Sequence, residues 1–394
     1  MNLNIKLENC KEIVGNKDLK ELFIENGIIL NENPESKTHY KTIDCTNCII
    51  SPGFIDPQVN GMDNCNFWET PDFSQIDELR LKLAKQGIVG FCPTVITSSK
   101  ENILKSVNHI NSYIKQNKNN NGALILGIHL EGIFITKYGI HDKQYAQTEL
   151  TPKTIEPFIR ENIVLFTLAP ELDKTGEAIR LLQKNNILVS IGHSNATFRE
   201  GEIAIKEHGI NIVTHMFNAL RGIENFSHRG DTDLNLKVLE EKLTNKTRIN
   251  PAQDGIILAI LKEKDVLCTL ISDGQHVNKK IINYLFTLKG KSKLSLTSDF
   301  ISEDIIKIGT EKKTLSGGQT QVKDCVYNLI QWNITNINDA LEIASQPVLN
   351  QLKKLKIYPI GEIKPGNKAY LTIWDTAKNT IKGTIIGENL FLNY

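Results

Sequence analysis

The feature that most constrains the fold is a regular alternation of helix-like and strand-like segments that starts near residue 74. The segment "FSQIDELRLKLAKQG" has apolar residues at helical spacing, and the apolar run "IVGFCPTVIT" follows it directly. The alternation continues through the strand-like runs "ALILGIHLEG", "NIVLFTLAPE", "ILVSIGHSN" and "KLSLTSDF". Apolar strands separated by helices predict parallel βα units whose sheet is covered on both faces.

At least seven such strands fit from residue 51 onward, which favours an α/β fold with a (β/α)₈ TIM-like barrel over two smaller sheets. The two ends of the chain have a different pattern, with short strand-like pieces and a hairpin signal at Asn26-Gly27. We therefore predict a barrel domain over residues 51–359. Residues 1–50 and 360–394 are predicted to pair into one small, discontinuous β-sandwich domain.

The composition excludes several classes of protein. A net charge of +1 argues against a nucleic-acid or membrane-surface partner, and no apolar run reaches the roughly 18 residues that a membrane-spanning helix needs. The N-terminal residues lack the pattern of a signal peptide, so we expect a cytoplasmic location and free thiols for the seven cysteines. Cys45 and Cys48 have the spacing of half a zinc ribbon, but no second pair completes it.

Nearly every predicted strand ends in a polar or chargeable residue. These residues are Gln58, Asn60, Thr94, His129, Glu131, Glu171, His193, His215, Asp273 and Asp299. The carboxyl ends of the strands in a β/α barrel converge on one face, where active sites are built. The pattern therefore predicts that side chains far apart in the sequence share one pocket.

Three of these strand-end residues, Glu131, His193 and His215, are candidate metal ligands. Two imidazoles and a carboxylate leave a zinc ion one open position for water, which is typical of a catalytic zinc site. One strand-end histidine alone is better explained as a buried core residue with satisfied hydrogen bonds. Two strand-end histidines, with Glu131 and Asp299 alongside, favour a metal site instead.

Seven motifs carry a resemblance to a known family. In chain order they are "PGFIDPQVNG", "HLEGIFI", "LAPE", "IGHSNAT", "THMFNAL", "SDGQHV" and "LTSDF". The chain resembles the N-acetylglucosamine-6-phosphate deacetylases of the amidohydrolase superfamily over nearly its whole length. The resemblance implies a metal-dependent enzyme that hydrolyses the N-acetyl group of N-acetylglucosamine 6-phosphate to give glucosamine 6-phosphate and acetate.

The resemblance also implies how many metal ions are bound. Many amidohydrolases carry His-x-His at the end of the first barrel strand and bind two metals, whereas family members with Gln-x-Asn there resemble single-metal enzymes. Gln58 and Asn60 match the second pattern, and no lysine stands out as a bridging carbamate. We therefore expect one divalent ion, zinc, per subunit on the three candidate ligands. Gln58, Asn60 and His129 are expected to support the site through hydrogen bonds.

Two residues are predicted to be catalytic. Asp299 would take a proton from water and return it to the departing amine, although a strand-end aspartate can also cap the following helix. His141 matches a family histidine that contacts the substrate and helps to polarise its carbonyl. From the sequence alone, a loop histidine such as His141 is usually just exposed.

The resemblance implies the substrate contacts as well. They are Ile140, His141, Asn218, Ala219, Asp273, Gly274, Gln275, His276, Leu315, Ser316 and Gly317. The chain departs from the family pattern where an arginine usually grips the phosphate, and Arg229 matches by position better than Arg248. Either arginine could instead be a solvated surface charge. The family is typically dimeric, so a homodimer is expected.

Three other functions remain open at this point. A related N-acylated amino sugar, such as N-acetylgalactosamine 6-phosphate, could be the substrate because the phosphate segment diverges. A cyclic-amide hydrolase of the dihydroorotase type would need the missing His-x-His and a carbamylated lysine. A non-catalytic sugar-phosphate-binding protein would be expected to lose ligands or the acid/base, yet Glu131, His193, His215 and Asp299 are all present.

Overall fold

The structure, a computed structural model, describes most of the chain. The described residues are 3–16, 18–30, 39–117, 121–222, 231–302, 317–355 and 360–393. Within these ranges, no helix combines the length and the apolar character needed to cross a membrane. All seven cysteines are buried free thiols, as expected.

Six strands precede the barrel in the described part of the chain. They are β1 (Ile5–Glu8), β2 (Glu12–Ile13), β3 (Leu22–Glu25), β4 (Ile28–Ile29), β5 (Lys41–Asp44) and β6 (Cys48–Pro52). Four of them form a sheet in the order β4-β3-β1-β5. Asn26 and Gly27 join β3 to antiparallel β4 with φ values of 50° and 74°, the positive φ that a tight type I′ hairpin turn requires. The predicted hairpin is confirmed.

Eleven strands follow among the described residues of the central part of the chain. They are β7 (Phe54–Val59), β8 (Gly61–Met62), β9 (Cys65–Asn66), β10 (Ile88–Ile96), β11 (Leu124–Ile125), β12 (Ile128–Glu131), β13 (Ile163–Leu168), β14 (Leu188–Ile191), β15 (Ile212–Val213), β16 (Leu267–Leu270) and β17 (Leu294–Leu296). Eight of these pair in parallel in the order β7-β10-β12-β13-β14-β15-β16-β17. A parallel bridge between Val59 and Phe300 links the two ends of this sheet, so the strands form the predicted barrel.

Helices cover the outside of the barrel. They are α1 (Phe73–Lys85), α2 (Lys100–Gln116), α3 (Pro152–Ile155), α4 (Glu177–Lys184), α5 (Phe198–Lys206), α6 (Thr232–Leu243), α7 (Ile256–Lys262), α8 (Lys279–Lys289), α9 (Val322–Gln331), α10 (Ile337–Ile343) and α11 (Gln346–Leu352). All nine residues of β10 are buried, as expected for a strand with both faces covered. The alternation seen in the sequence is therefore that of βα units.

Three C-terminal strands complete the small domain. They are β18 (Tyr370–Asp375), β19 (Thr380–Ile386) and β20 (Asn389–Leu392). β18 pairs antiparallel with β6, which gives a second sheet in the order β2-β6-β18-β19-β20. Leu7 and Ile24 of the first sheet share one buried core with Ile50, Leu371 and Ile385 of the second. The predicted β-sandwich from both chain ends is confirmed. Its exact limits stay a prediction, and residues 356–359, beside one limit, lie outside the described part.

Candidate active site

The predicted site residues lie at the carboxyl ends of neighbouring barrel strands. Glu131 is the last residue of β12, while His193, His215 and Asp299 follow β14, β15 and β17 within three residues. All four line one cavity of about 530 Å³. Because parallel strands of a barrel end on the same face, residues separated by up to 168 positions along the chain meet there.

Three of these residues have an uncommon backbone conformation. The φ angles are 48° at His193, 27° at His215 and 48° at Asp299, all in the left-handed region that non-glycine residues rarely adopt. Such strained positions cluster at functional sites and persist only where the surrounding structure holds them. The sharp turn lets the chain leave the strand while the side chain still faces the cavity.

Glu131, His193 and His215 form a buried cluster that could hold a metal ion. The Oε1 atom of Glu131 lies 2.9 Å from Nε2 of His215 and 3.4 Å from Nε2 of His193, and the two Nε2 atoms are 3.1 Å apart. Nδ1 of His193 lies 2.7 Å from the Lys137 carbonyl, which can only accept a hydrogen bond. Nδ1 of His193 therefore carries a proton, which leaves Nε2 as the ring nitrogen that faces the cluster and could bind an ion.

The chemistry of this cluster fits a cation. Burial disfavours the charge of Glu131, but hydrogen bonds and positive charge from His193 and His215 hold the pKa of Glu131 well below its usual value. Burial lowers the pKa of His215, but the Glu131 carboxylate reverses this and raises it above its usual value. The lowered pKa of Glu131 and the raised pKa of His215 both mean that the carboxylate stays ionised and stabilises a positive charge beside it. A carboxylate and two imidazoles are ligands that zinc-type ions prefer.

The amides of Gln58 and Asn60 face Asp299 and not the metal cluster. Oδ1 of Asp299 accepts hydrogen bonds from Nε2 of Gln58 at 2.8 Å and from Nδ2 of Asn60 at 2.7 Å. The other end of the Gln58 amide accepts from Oγ1 of Thr214 at 2.6 Å. Burial, followed by the negative charge of Glu131, raises the pKa of Asp299 to about 6. Both amides thus orient the carboxylate predicted to be the base.

A second buried carboxylate holds the segment that leads to Asp299. Oδ1 of Asp56 accepts from Oγ1 of Thr297 at 3.1 Å and from the backbone N–H of Ser298 at 3.2 Å. The Ser298 hydroxyl donates to the other oxygen of Asp56. Burial raises the pKa of Asp56 to about 6 against these hydrogen bonds. The first barrel strand therefore fixes both the backbone before Asp299 and, through Gln58, its side chain.

Six predicted substrate-contact residues line the same cavity as the metal cluster. They are Ile140, His141, Asn218, Ala219, His276 and Gly317. The ring of His141 lies 4.2 Å from the ring of His193, centroid to centroid. Burial, followed by the proximity of His193, lowers the pKa of His141 to about 3, so its imidazole is neutral. His141 is thus a buried cavity residue and not the exposed loop histidine that the sequence alone would suggest.

Asp273 holds His276 through hydrogen bonds and does not itself line the cavity. Oδ2 of Asp273 lies 2.7 Å from Nδ1 of His276, and Oδ1 accepts from the backbone N–H groups of Gln275 and His276. Asp273, Gly274 and Gln275 are not among the residues that line the cavity. Nε2 of His276 is buried and has no hydrogen-bond partner within the described ranges. The imidazole is therefore held from one side and left with a free nitrogen on the other.

Several other predicted residues lie apart from the cavity or outside the described part. His129 contacts the Pro57 carbonyl at 3.1 Å and the Thr167 hydroxyl at 2.8 Å. Arg248 lines a separate cleft of about 520 Å³. Three predicted substrate contacts, Arg229, Leu315 and Ser316, lie in the segments 223–230 and 303–316, which the structure does not describe.

Glu171, a strand-end residue without a role predicted from the sequence, joins two loops beside the cavity. Glu171 accepts hydrogen bonds from Oγ1 of Thr136, from Oγ of Ser194 at 2.7 Å and from the backbone N–H of Asn195 at 2.8 Å. It thereby ties the loop that leads to His141 to the loop that follows His193. The motif "LAPE" was the signal that could have identified it.

The geometry can be compared with known proteins. The model of the amidohydrolase family matches residues 49–390. The chain is 31% identical over 376 residues to the N-acetylglucosamine-6-phosphate deacetylase of Caenorhabditis elegans, covering 86% of this chain and 84% of the relative. It is 26% identical to the enzyme of the same name from Haemophilus influenzae, covering 89% of both chains.

Solved structures support the fold. The crystal structure of N-acetylglucosamine-6-phosphate deacetylase from Pasteurella multocida has a TM-score of 0.80 and 24% identity, covering 99% of this chain and 100% of that one. The enzyme of the same name from Thermotoga maritima has a TM-score of 0.77 at 24% identity, with the same coverage. The chain therefore belongs to the amidohydrolase family, as a relative of the N-acetylglucosamine-6-phosphate deacetylases.

Proposed function

We propose that this protein hydrolyses the N-acetyl group of N-acetylglucosamine 6-phosphate, releasing acetate and glucosamine 6-phosphate. The observation that carries the proposal is the buried cluster of Glu131, His193 and His215 in the same cavity as Asp299. Membership of the amidohydrolase family and the similarity to named deacetylases support it. A carboxylate held by two amides beside a metal-binding cluster is suited to hydrolysis of an amide.

One divalent ion per subunit, zinc, is proposed on Glu131, His193 and His215. When bound, it acidifies a water molecule and polarises the acyl oxygen as a Lewis acid. The single-ion stoichiometry is supported by Gln58 and Asn60, whose N–H groups both point at Asp299. An amide N–H carries no lone pair, so the two nitrogen atoms that face Asp299 cannot be ligands of a second ion.

Asp299 is proposed as the residue that moves the proton. Its Oδ1 atom already accepts two amide hydrogen bonds, which leaves Oδ2 to receive the proton of the attacking water. Asp299 then returns this proton to the nitrogen of the departing amino sugar, because an amine leaves readily only when protonated. A pKa near 6 suits both steps at neutral pH, since the group is ionised at rest yet binds a proton readily.

The remaining cavity residues are proposed to bind the sugar phosphate. The free Nε2 of His276 and the backbone around Asn218 and Ala219 supply polar groups beside the metal cluster. Arg229 is proposed as the phosphate grip, and Arg248 is disfavoured because it lines a separate cleft. Replacing Arg229 with alanine should raise KM for the phosphorylated substrate by about tenfold or more, since a charge-assisted contact to phosphate is lost. The matched variant Arg248→Ala should leave KM within about twofold.

Three further proposals come from the sequence. The domain limits at residues 51 and 360, the homodimer and the cytoplasmic location are retained from the residue pattern and the resemblance. Light scattering of the purified protein measures its oligomeric state. A mass of one chain, 44.3 kDa, would contradict the dimer.

The central experiment is acetate release by the purified, zinc-loaded protein. N-acetylglucosamine 6-phosphate and unphosphorylated N-acetylglucosamine are compared as substrates, with Asp299→Asn as the matched inactive control. Fast release from the phosphate ester alone is the expected result. Equal rates on both substrates would show that the phosphate is not recognised. Release from neither, with zinc bound, would overturn the deacetylase function.

A further inference from the structure

We infer that Thr97 is a positioning residue that fixes the His141 proton on Nε2, so that this N–H faces the substrate carbonyl. The inference rests on the proposed function for its catalytic meaning, but the position of the proton can be tested without any substrate. Thr97 follows β10 and is buried, with 5% of its surface exposed. It was not among the residues predicted from the sequence.

Two groups of Thr97 contact the same ring nitrogen. The backbone N–H of Thr97 donates to Nδ1 of His141 at 3.3 Å, and Oγ1 of Thr97 lies 2.8 Å from the same atom. Oγ1 also accepts a hydrogen bond from the backbone N–H of Ile133 at 2.8 Å. A hydroxyl has one proton to donate besides its acceptor lone pairs, so Oγ1 can accept from Ile133 and donate to Nδ1 at the same time.

This arrangement selects one tautomer of His141. A backbone N–H can only donate, so Nδ1 must offer its lone pair to Thr97. In a neutral imidazole one nitrogen carries the proton and the other accepts, and the partner of one nitrogen therefore determines the state of the other. A proton on Nδ1 would face the backbone N–H of Thr97, and that buried donor would lose its acceptor.

The proton on Nε2 is then free for the substrate. Nε2 of His141 lies 3.9 Å from Oε2 of Glu131, too far for a direct hydrogen bond, and the His141 side chain lines the catalytic cavity. An N–H next to the metal cluster can donate to the acyl oxygen, where negative charge develops during hydrolysis. His141 would act as a neutral donor, and Thr97 would act through it.

Glycine at position 132 leaves room for this contact. Gly132 follows the metal-ligand candidate Glu131 and has a φ of 105°, which L side chains rarely adopt. A Cβ atom at this position would lie 2.1 Å from Oγ1 of Thr97 and 3.0 Å from Nδ1 of His141. The backbone beside the metal cluster is therefore shaped to let the hydroxyl and the ring meet.

Nitrogen NMR of the zinc-loaded protein with isotope-labelled histidine measures the tautomer directly. The His141 signals are assigned among the nine histidines by their loss in His141→Gln. The expected result is a protonated Nε2 and an unprotonated Nδ1, without any substrate present. A protonated Nδ1 in the unmodified protein would overturn the inference.

Variants of Thr97 test whether the hydroxyl causes this state. Thr97→Val removes the hydroxyl and should lower kcat about tenfold, with KM changed less than about threefold, because the donor is misplaced mainly in the transition state. Only the longer backbone contact of 3.3 Å to Nδ1 then remains, so a detectable share of the Nδ1-protonated form of His141 should also appear beside the Nε2-protonated form in the nitrogen spectrum. Thr97→Ser restores the hydroxyl and should recover kcat to within about threefold of the parent.

A distant threonine provides the control for the loss of a buried hydroxyl. Oγ1 of Thr372, in β18, donates to the Gly87 carbonyl at 2.7 Å and is far from the cavity. Thr372→Val should leave kcat and the His141 signals unchanged. If Thr97→Val keeps full kcat and a single Nε2–H tautomer, the inference is wrong. If the parent protein releases no acetate, the proposed function fails, while the nitrogen spectrum still decides the tautomer.

Discussion

Two groups of residues on the same face of the barrel satisfy their polar atoms in opposite ways. The metal cluster, Glu131, His193 and His215, brings three possible ligand atoms within 3.4 Å of one another. The base side, Gln58, Asn60 and Asp299, matches two amide donors with one carboxylate oxygen. The first group offers its atoms to a cation, whereas in the second the Asp299 oxygen is already paired with two N–H groups. The chemical type of the side chain at a strand end thus separates atoms that could bind an ion from atoms that hold a carboxylate by hydrogen bonds.

The largest expected effect comes from removing a ligand of the metal cluster. Glu131→Ala should lose the bound ion, and acetate release should fall below detection, because two imidazoles alone hold a catalytic ion poorly. Metal analysis of the purified variant, together with the acetate assay, tests this. A variant that keeps one tightly bound ion would show that the ligands lie elsewhere.

The next largest effect should come from the base side. Asp299→Asn should lower kcat by about 10² to 10⁴-fold, the usual range for a lost general acid/base, while the metal content stays at that of the parent. The two groups then separate experimentally into one that binds the ion and one that moves the proton. Loss of the ion in Asp299→Asn would instead make Asp299 a ligand and erase the distinction.

A smaller effect is expected from the amide that holds the base. Gln58→Leu removes one donor to Asp299 and should lower kcat by about 10- to 100-fold with the metal content unchanged. Thr214→Val, which removes the opposite hydrogen bond of the same amide, is the matched control and should lower kcat by less than Gln58→Leu. Parent-like kcat in Gln58→Leu would show that the amide does not orient the base.

The smallest effect concerns pH. Asp299 must be ionised to accept a proton, and its pKa is raised to about 6, so kcat/KM should fall about tenfold from pH 7 to pH 5. A bound cation favours the ionised form of Asp299 and can only move this fall in kcat/KM to lower pH. A pH profile of kcat/KM for the zinc-loaded protein measures it. A fall in kcat/KM that already begins above pH 7 would indicate that another group is the base.

Much of the fold follows from local patterns in the sequence. The apolar run "IVGFCPTVIT" becomes β10, and the turn at Asn26-Gly27 joins β3 to β4. These features depend on residues near one another in the chain, where side-chain periodicity and turn chemistry act directly. The short β15, only Ile212–Val213, shows the limit, since the apolar run "INIVTHMFN" is much longer than the strand it forms.

The candidate site was only partly predictable. Period-2 alternation predicted that Gln58 and Asn60 face the same side, and both indeed contact one oxygen of Asp299. The partner itself, 241 positions away from Gln58, follows from barrel closure. The position of Asp273 behind His276 and of Arg248 in another cleft likewise depends on loop packing, which leaves no periodic signal.

The sequence by itself determined which residues end the barrel strands, because strand periodicity and the βα alternation are local properties of the chain. Glu131, His193, His215 and Asp299 were identified in this way. Only the tertiary structure decided what each polar atom faces. It turned the Gln58 and Asn60 amides toward Asp299, and it set Thr97 against His141. Hydrogen bonds act over about 3 Å, and such distances are fixed only when the barrel closes and its loops pack together.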